Sequence, residues 1–314
     1  MPMFCTGRAK RQGVPHAPPL GPMLLVGLLG LLVGACGRGP DLPTSASPPT
    51  LAPPATSTGI AVEPTPVPLS QVVRRQSPAQ LRSILESPDG QLRAQVITYG
   101  CTPVEGEGEY ALDELVVETI ASGEGWLAAE QLQVCGGLGA YGLEVLFWSP
   151  GSRRLYYTTA REGVPDGCGL WLKPFSVVDM ERRQASELGG GVLSPDGRSL
   201  ALWRASDLVV WQLDEGEVAR FPLAVQELPP GPLAWAPDSS ALAYLQISGV
   251  CQPEAPSHLV RVDLGSRLAH VLLTTSDPVL GGLEWMDGNL LTLWDAAGQR
   301  WEYDLAQSRL SRAP

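Results

Sequence analysis

Short runs of alternating apolar and polar residues, separated by turn signals, fill the last three quarters of the chain. The clearest set surrounds the sequence Ser-Pro-Asp-Gly at residues 194–197. Residues 189–193 lead into this turn, and the runs 198–203, 208–213 and 217–223 follow it. Such alternation is typical of half-buried strands, and proline followed by aspartate and glycine is typical of tight turns. The pattern therefore predicts a four-stranded antiparallel meander.

The turn recurs along the chain, so the repeat defines the expected fold. Three of the five turns follow a tryptophan, namely Trp148, Trp235 and Trp285, and we expect these side chains to pack between repeats. Residues 71–314 give about 49 residues per repeat, which suits a four-stranded propeller blade. The turns lie at residues 87–90, 149–152, 194–197, 236–239 and 286–288.

These residues resemble the WD40-like repeats of TolB-type β-propellers, whose mark is Trp-Ser-Pro-Asp-Gly at the hairpin between the first two strands of a blade. The resemblance covers residues 80–314 and implies an all-β fold, a β-propeller of four-stranded antiparallel blades. Five units are visible, so five blades are favoured, although the family usually has six. Residues 72–85 are then expected to form either an outer strand that closes the ring against the last blade or part of an extra blade.

The turns depart from the family pattern in several places. The first lacks the tryptophan, the second has Gly151 in place of aspartate, the fourth lacks the glycine and the fifth lacks the proline. No part of the sequence matches the α/β domain of TolB or the hydrolase domain of prolyl-oligopeptidase-like propellers. Neither partners nor catalysis can therefore be inferred from the resemblance.

The first 35 residues have the pattern of an export signal. A basic, polar region precedes an apolar stretch that begins at Met23, is too short to span a membrane and ends in small residues. The sequence Val-Gly-Ala-Cys at residues 33–36 resembles the bacterial lipobox. This resemblance implies that Cys36 is acylated and becomes the mature N-terminus; an ordinary cleaved signal, with Cys36 incidental, is the alternative. Acyl chains on Cys36 would anchor the protein to the cell membrane in an extracytoplasmic compartment.

The amino-acid composition divides the rest of the chain into two segments, residues 36–70 and residues 71–314. From Cys36 to residue 70 the sequence is rich in Pro, Ser and Thr, with little charge and no apolar period, which predicts a disordered tether. The expected domains are a lipoprotein signal peptide (residues 1–35), the lipidated cysteine with its tether (36–70) and the propeller (71–314).

The charge of the chain restricts its partners. Net charge is −11, and the three basic residues of the first 35 have no acidic counterparts there, so residues 36–314 carry 19 basic and 33 acidic residues, or −14. An acidic body argues against nucleic acid and against an anionic membrane surface as the main partner.

Four cysteines remain after the signal and Cys36, which suggests two disulfides in an exported protein. Cys101, Cys168 and Cys251 each follow the second predicted strand of a repeat, whereas Cys135 follows the fourth strand of the first repeat. In a meander both of these loop types open at the same end. The register therefore favours the pairs Cys101–Cys135 and Cys168–Cys251. A zinc site is the alternative, although no close Cys-Cys or Cys-His spacing supports one.

Groups with catalytic potential are scarce. After the signal the chain has two histidines, His258 and His270, and one lysine, Lys173, and it shows no nucleophile elbow, zinc-protease motif or phosphate loop. We therefore predict no catalytic residue, metal or cofactor. The long inserts after second strands carry the candidate binding residues, which are mainly acidic and favour a cationic or hydroxyl-rich partner: Glu105, Glu107, Glu109, Arg161, Asp166 and Glu254.

Tether, propeller and the missing catalytic set together favour a lipid-anchored, extracytoplasmic binding or scaffolding module with an unknown protein or polymer partner. Two alternatives remain open. One is an enzyme or enzyme subunit acting on an extracellular polymer, because propellers host many chemistries. The other is a sensor of a small solute.

Overall fold

The computed structural model describes residues 67–136, 142–159, 172–225, 230–247 and 256–313. All of them belong to the second of two compact units of the chain, Glu63–Pro314. The described residues form one helix, α1 (Leu69–Gln76), and nineteen strands. Every pair of neighbouring strands is antiparallel, and the strand order in each sheet follows the chain. The prediction of an all-β fold is confirmed.

The strands form successive meanders. The first sheet contains β1 (Ala79–Glu86), β2 (Leu92–Val104), β3 (Gly108–Thr119) and β4 (Glu124–Val134). The second contains β5 (Glu144–Trp148), β6 (Arg154–Thr158), β7 (Pro174–Asp179), β8 (Gln184–Leu193), β9 (Ser199–Arg204), β10 (Asp207–Gln212) and β11 (Gly216–Pro222). The third contains β12 (Pro230–Trp235), β13 (Ala241–Gln246), β14 (Ser257–Asp263) and β15 (Leu268–Thr275), and the fourth contains β16 (Leu280–Asp287), β17 (Leu290–Asp295), β18 (Arg300–Asp304) and β19 (Arg309–Arg312).

Strand β8 belongs to two meanders at once. Its residues 184–190 pair with β7 and its residues 190–193 pair with β9, so that β8 ends the second meander and begins the third. The change of pairing strand along β8, from β7 to β9, depends on glycine residues in β8. Gly189 has φ +115°, and a Cβ on Gly191 would collide with the backbone oxygen of Ala201. The meander predicted around residues 194–197 is therefore confirmed, as the strand order β8-β9-β10-β11.

The turns between first and second strands lie side by side. In the first four, the fourth residue donates its N–H to the carbonyl of the first at 2.8–2.9 Å. Ser152 and Ser239 take the left-handed conformation, with φ of 58° and 60°, where the other two turns have glycine. Each of these hydroxyls accepts the backbone N–H of the aspartate in the preceding turn, Asp89 or Asp196, at 3.2 Å. These departures from the repeat pattern therefore connect neighbouring turns.

The apolar core is divided among the interfaces between successive meanders. One buried cluster joins the first meander to the second, and others join the second to the third, the third to the fourth and the fourth to the fifth. Trp148, Trp235 and Trp285 each lie in one of these clusters, as expected from their place before the turns. The first strands of the meanders are thus held rigidly at their turn ends.

The expectation for residues 72–85 is wrong. Residues up to Gln76 belong to helix α1, and β1 pairs with β2 as the first strand of the first sheet, so the segment is neither an outer closing strand nor part of an extra blade. Val73 of the helix is buried against Tyr99 and Leu112 of that sheet. Arg74 forms ion pairs with Glu114 and Glu130, which fix the helix on the sheet face.

Candidate functional site

A cleft of about 280 Å³ opens where three first strands end. Its walls come from the end of β8, the end of β12 and the middle of β16, together with one residue of the turn that follows β8. The side chains that define it are Leu193, Pro195, Leu233, Trp235, Glu284 and Trp285. We call this the turn-end cleft, because it lies at the same end of the meanders as the turns between first and second strands.

An indole hydrogen bond braces one side of the turn-end cleft. Trp235 is 6% exposed, and its Nε1–H donates to the carbonyl of Val192 at 3.1 Å, which ties the end of β12 to the end of β8. Trp148 makes the equivalent bond to the carbonyl of Leu85 at 3.2 Å. In both cases the acceptor lies two residues before the first residue of the preceding turn. The tryptophan of the repeat therefore acts as a clamp between neighbouring first strands.

Trp285 departs from this rule. It is 7% exposed, and within the described residues its buried Nε1–H has no hydrogen-bond partner. The equivalent acceptor would be the carbonyl of Ala234, which also lines the turn-end cleft. The clamp between β12 and β16 is thus unmade at the cleft.

The cation nearest to Trp285 acts electrostatically on two carboxylates, although its buried Nε has no hydrogen-bond partner within the described residues. The guanidinium of Arg261 lies 5.8 Å from the centre of the indole ring, in cation–π geometry. Hydrogen bonds from Ser240 hold the pKa of Asp238 below its ordinary value, and the positive charge of Arg261 adds to the effect. Asp263 has a lowered pKa for similar reasons, with the N–H of Ser266 as the main cause. Two ionised carboxylates therefore face this one cation.

Glu284 is the charged residue on the lining of the turn-end cleft. It is exposed, and no ion pair or hydrogen bond engages its carboxylate within the part of the chain that the structure describes. The rest of the lining consists of apolar side chains and backbone. The cleft thus presents one free negative charge beside an apolar surface.

The predicted acidic insert of the first repeat takes a different form from the expected loop. Residues 101–104 continue β2, a bulge between Tyr99 and Thr102 shifts the register, and β3 starts at Gly108 after a short turn. Glu105, Glu107 and Glu109 are exposed on this hairpin. The prediction that Cys101 lies in a loop is therefore wrong, because the bulge lets the strand pairing continue past it.

The disulfide Cys101–Cys135 is present, with the two Cα atoms 6.0 Å apart. The strand register predicts this pairing, and the disulfide confirms it. Both cysteines lie at the same end of the first sheet. Cys36, Cys168 and Cys251 lie outside the described residues, as do Arg161, Asp166 and Glu254.

The acidic hairpin and the turn-end cleft lie at opposite ends of the meanders. A hairpin between second and third strands opens away from the turns between first and second strands. The structure therefore brings Glu105, Glu107 and Glu109 together but separates them from the cleft. Sequence reasoning missed the cleft, because it placed the candidate binding residues in the long inserts after second strands. The signal lay in the residues just before the turns: an apolar position at Leu193, tryptophans at 235 and 285, and a lone carboxylate at Glu284.

Within the described ranges, no group of three or more His, Cys, Asp or Glu side chains is placed to hold a metal ion. In the same part of the chain, no helix has the length and apolar character needed to cross a membrane.

Comparison with known proteins gives structural similarity alone. No family model matches the sequence, and no curated protein matches it. Among solved structures the chain is similar to dipeptidyl peptidase 4 of Porphyromonas gingivalis, at a TM-score of 0.39 and 12% identity over 79% of this chain and 42% of that one. It is also similar to the tricorn protease, at 0.31 and 11% over 75% and 26%. The third is TolB from Acinetobacter baumannii, at 0.26 and 14% over 70% and 53%.

The chain spans less than half of dipeptidyl peptidase 4, about a quarter of the tricorn protease and about half of TolB. These proteins share extended β structure with the chain, and two of them are peptidases by their names. Because the TM-scores and identities are low, nothing that the three proteins do is carried over to this chain.

Proposed function

We propose that the protein is a lipid-anchored, extracytoplasmic binding module: a five-bladed β-propeller, with the five meanders as blades, that holds a partner in the turn-end cleft. The observation that carries the proposal is the cleft itself. Its walls are mostly strand residues, and the indole of Trp235 ties two of the strands together. A preformed site of this kind loses little ordering entropy when a partner binds.

Other features support the proposed lipid anchor and the proposed extracytoplasmic location. The lipobox-like sequence at residues 33–36 provides the anchor, and the tether separates the anchor from the folded unit. The disulfide Cys101–Cys135 fits an oxidising compartment outside the cytoplasm. We therefore place the binding module on the outer side of a cell membrane, without a catalytic role.

Site-specific photo-crosslinking tests the location of the binding surface. A benzophenone amino acid replaces Leu193, which is 40% exposed in the turn-end cleft, in the full-length protein in its native membrane. The matched control carries the same group at Leu127, which is 48% exposed on β4 of the first meander. We expect a discrete crosslinked partner from position 193 and none from position 127.

The crosslink has to depend on the cleft. Addition of Glu284→Gln to the position-193 protein is expected to reduce the crosslinked fraction, whereas Glu124→Gln at the start of β4 leaves it unchanged. Absence of a specific adduct at position 193, or an adduct indifferent to Glu284, would overturn the assignment of the binding surface.

A further inference from the structure

The lining of the turn-end cleft indicates the chemistry of its ligand. Building on the proposed function, we propose that the cleft binds the side chain of a lysine or arginine from an extended segment of a partner protein. Both side chains combine an apolar stem with a cationic head, and such side chains bury the stem on apolar surface while the head stays at a charged or wet edge. The cleft presents the matching pair: apolar walls from Leu193, Pro195 and Leu233, and the Glu284 carboxylate.

The size of the cleft favours one side chain over a larger ligand. Its volume is about 280 Å³. Pockets for drug-sized molecules and cofactors cover roughly 300–1,000 Å³. The cleft lies just below this range, so a single long side chain fits within its walls, whereas an oligosaccharide would extend beyond them.

Charge complementarity selects a basic ligand over an acidic or neutral one. Glu284 has no counter-ion within the described residues, so a ligand cation would be its first partner. The nearby cation Arg261 already faces Asp238 and Asp263, whose pKa values it helps to lower. The net charge of −14 over residues 36–314 also attracts cationic segments during encounter.

The unmade clamp at Trp285 offers a place for the backbone of the ligand. The indole N–H of Trp285 is buried without a described partner, and a buried donor without an acceptor is costly. The two equivalent clamps use a main-chain carbonyl as the acceptor. A main-chain carbonyl of the partner segment would be the same kind of acceptor, and the buried indole N–H would have to become exposed to reach it.

Small amide probes test the proposal directly. The mature protein in detergent micelles, labelled with ¹⁵N at its tryptophan indoles, is titrated with Nα-acetyl-lysine methylamide and Nα-acetyl-arginine methylamide. Nα-acetyl-norleucine methylamide keeps the stem without the charge, and Nα-acetyl-glutamate methylamide reverses the charge. Trp235→Phe and Trp285→Phe identify the two indole signals that belong to the cleft.

We expect the lysine and arginine probes to shift the indole signals of Trp235 and Trp285, and the norleucine probe to bind at least about threefold more weakly. Glu284→Gln is expected to weaken the basic probes by a similar factor and to leave norleucine unchanged. Glu124→Gln, an exposed carboxylate at the start of β4, is the matched control and is expected to have no effect.

The outcomes separate this proposal from the function on which it rests. Equal binding of lysine and norleucine, or basic probes indifferent to Glu284→Gln, would overturn the choice of a basic side chain while leaving the cleft as a binding site. Crosslinking from position 193 without any response to the basic probes would overturn the ligand class alone. Failure of both crosslinking and probes would overturn the two proposals together.

Discussion

Single residues decide how the meanders join, and Gly191 is the clearest case. Its missing side chain lets β8 approach β9, since a Cβ would collide with the backbone oxygen of Ala201 and lie 2.8 Å from the side chain of Leu202. We expect Gly191→Ala to lower the free energy of unfolding by at least about 2 kcal/mol, because backbone must move to relieve the collision.

The matched control for Gly191→Ala is Gly281→Ala in β16. A Cβ at Gly281 meets nothing within 4 Å. Its effect is expected to stay within about 0.5 kcal/mol. Urea denaturation of both variants checks the difference, and equal losses would contradict the role given to the close approach.

The turn aspartates give the protein an acid-sensitive component of stability. The Ser194 hydroxyl donates to Asp196 at 2.6 Å, and this hydrogen bond holds the pKa of Asp196 below its ordinary value. A carboxyl whose pKa is lowered by folding contributes stability that is fully present above the unfolded-state pKa, about 3.9 for aspartate, and that is lost as the pH falls through the folded pKa.

Asp196→Asn should therefore reduce the free energy of unfolding at neutral pH, and the gap from wild type should close as the pH falls below about 3.9. Glu105→Gln, on the acidic hairpin, is the control. Urea midpoints at pH 7 and at pH 3 give the comparison. A gap that is the same at both pH values would show that the turn carboxylate adds no pH-dependent stability.

The turns also show what sequence can predict at this scale. Proline and glycine placed the first-to-second-strand turns correctly, because turn chemistry is local. The missing glycine of the fourth turn indicates only a departure from the repeat, whereas Ser239 at that position, like Ser152, accepts a hydrogen bond from a turn many residues away in sequence. Contacts between repeats are not encoded in the local pattern.

At the scale of elements, helix α1 is the feature that the apolar pattern missed. Eight residues are too few for a clear helical period, so the sequence predicts a closing strand or part of an extra blade there instead of a helix. The helix is held by Val73 in the core and by Arg74 at the carboxylates of Glu114 and Glu130. Its stability therefore comes from tertiary contacts, in keeping with the general weakness of isolated short helices.

Val73→Ala is expected to lower the free energy of unfolding by about 2 kcal/mol, from lost burial and the cavity left behind. Val72→Ala removes the same atoms from a half-buried position on the same helix and is expected to have less than half of that effect. Chemical denaturation compares the two. Equal losses would mean that the helix does not dock through Val73.

The turn-end cleft could not be predicted from the elements one at a time. Its walls come from β8, β12 and β16, and each wall residue reads as ordinary core or surface within its own strand. Only the side-by-side packing of three meanders turns Trp235, Trp285 and Glu284 into one site. The pairing Cys101–Cys135 was predictable because it depends on strand order within a single meander.

At the scale of the whole molecule, the predicted lipid anchor is most open to direct measurement. The lipobox-like sequence predicts that the protein enters the detergent phase in Triton X-114 partitioning, because acyl chains on Cys36 bind the micelles. Cys36→Ala should move the protein to the aqueous phase or leave it unprocessed. Cys5→Ala is the control and should partition like wild type, since residue 5 lies in the predicted signal. A wild-type protein that stays aqueous and begins elsewhere by mass spectrometry would contradict lipidation.

The double membership of β8 determines where the protein can be divided into fragments. A fragment that ends after β7 exposes the ladder of hydrogen-bonding groups that β8 normally covers, and the complementary fragment exposes residues 184–190 of β8, which normally pair with β7. Unpaired edges of this kind recruit other strands, so such halves would recombine or aggregate. A fragment that ends after β11 keeps the seven-stranded sheet whole. We therefore expect truncation, domain fusion and evolutionary recombination to preserve the fold only where the second and third meanders stay together.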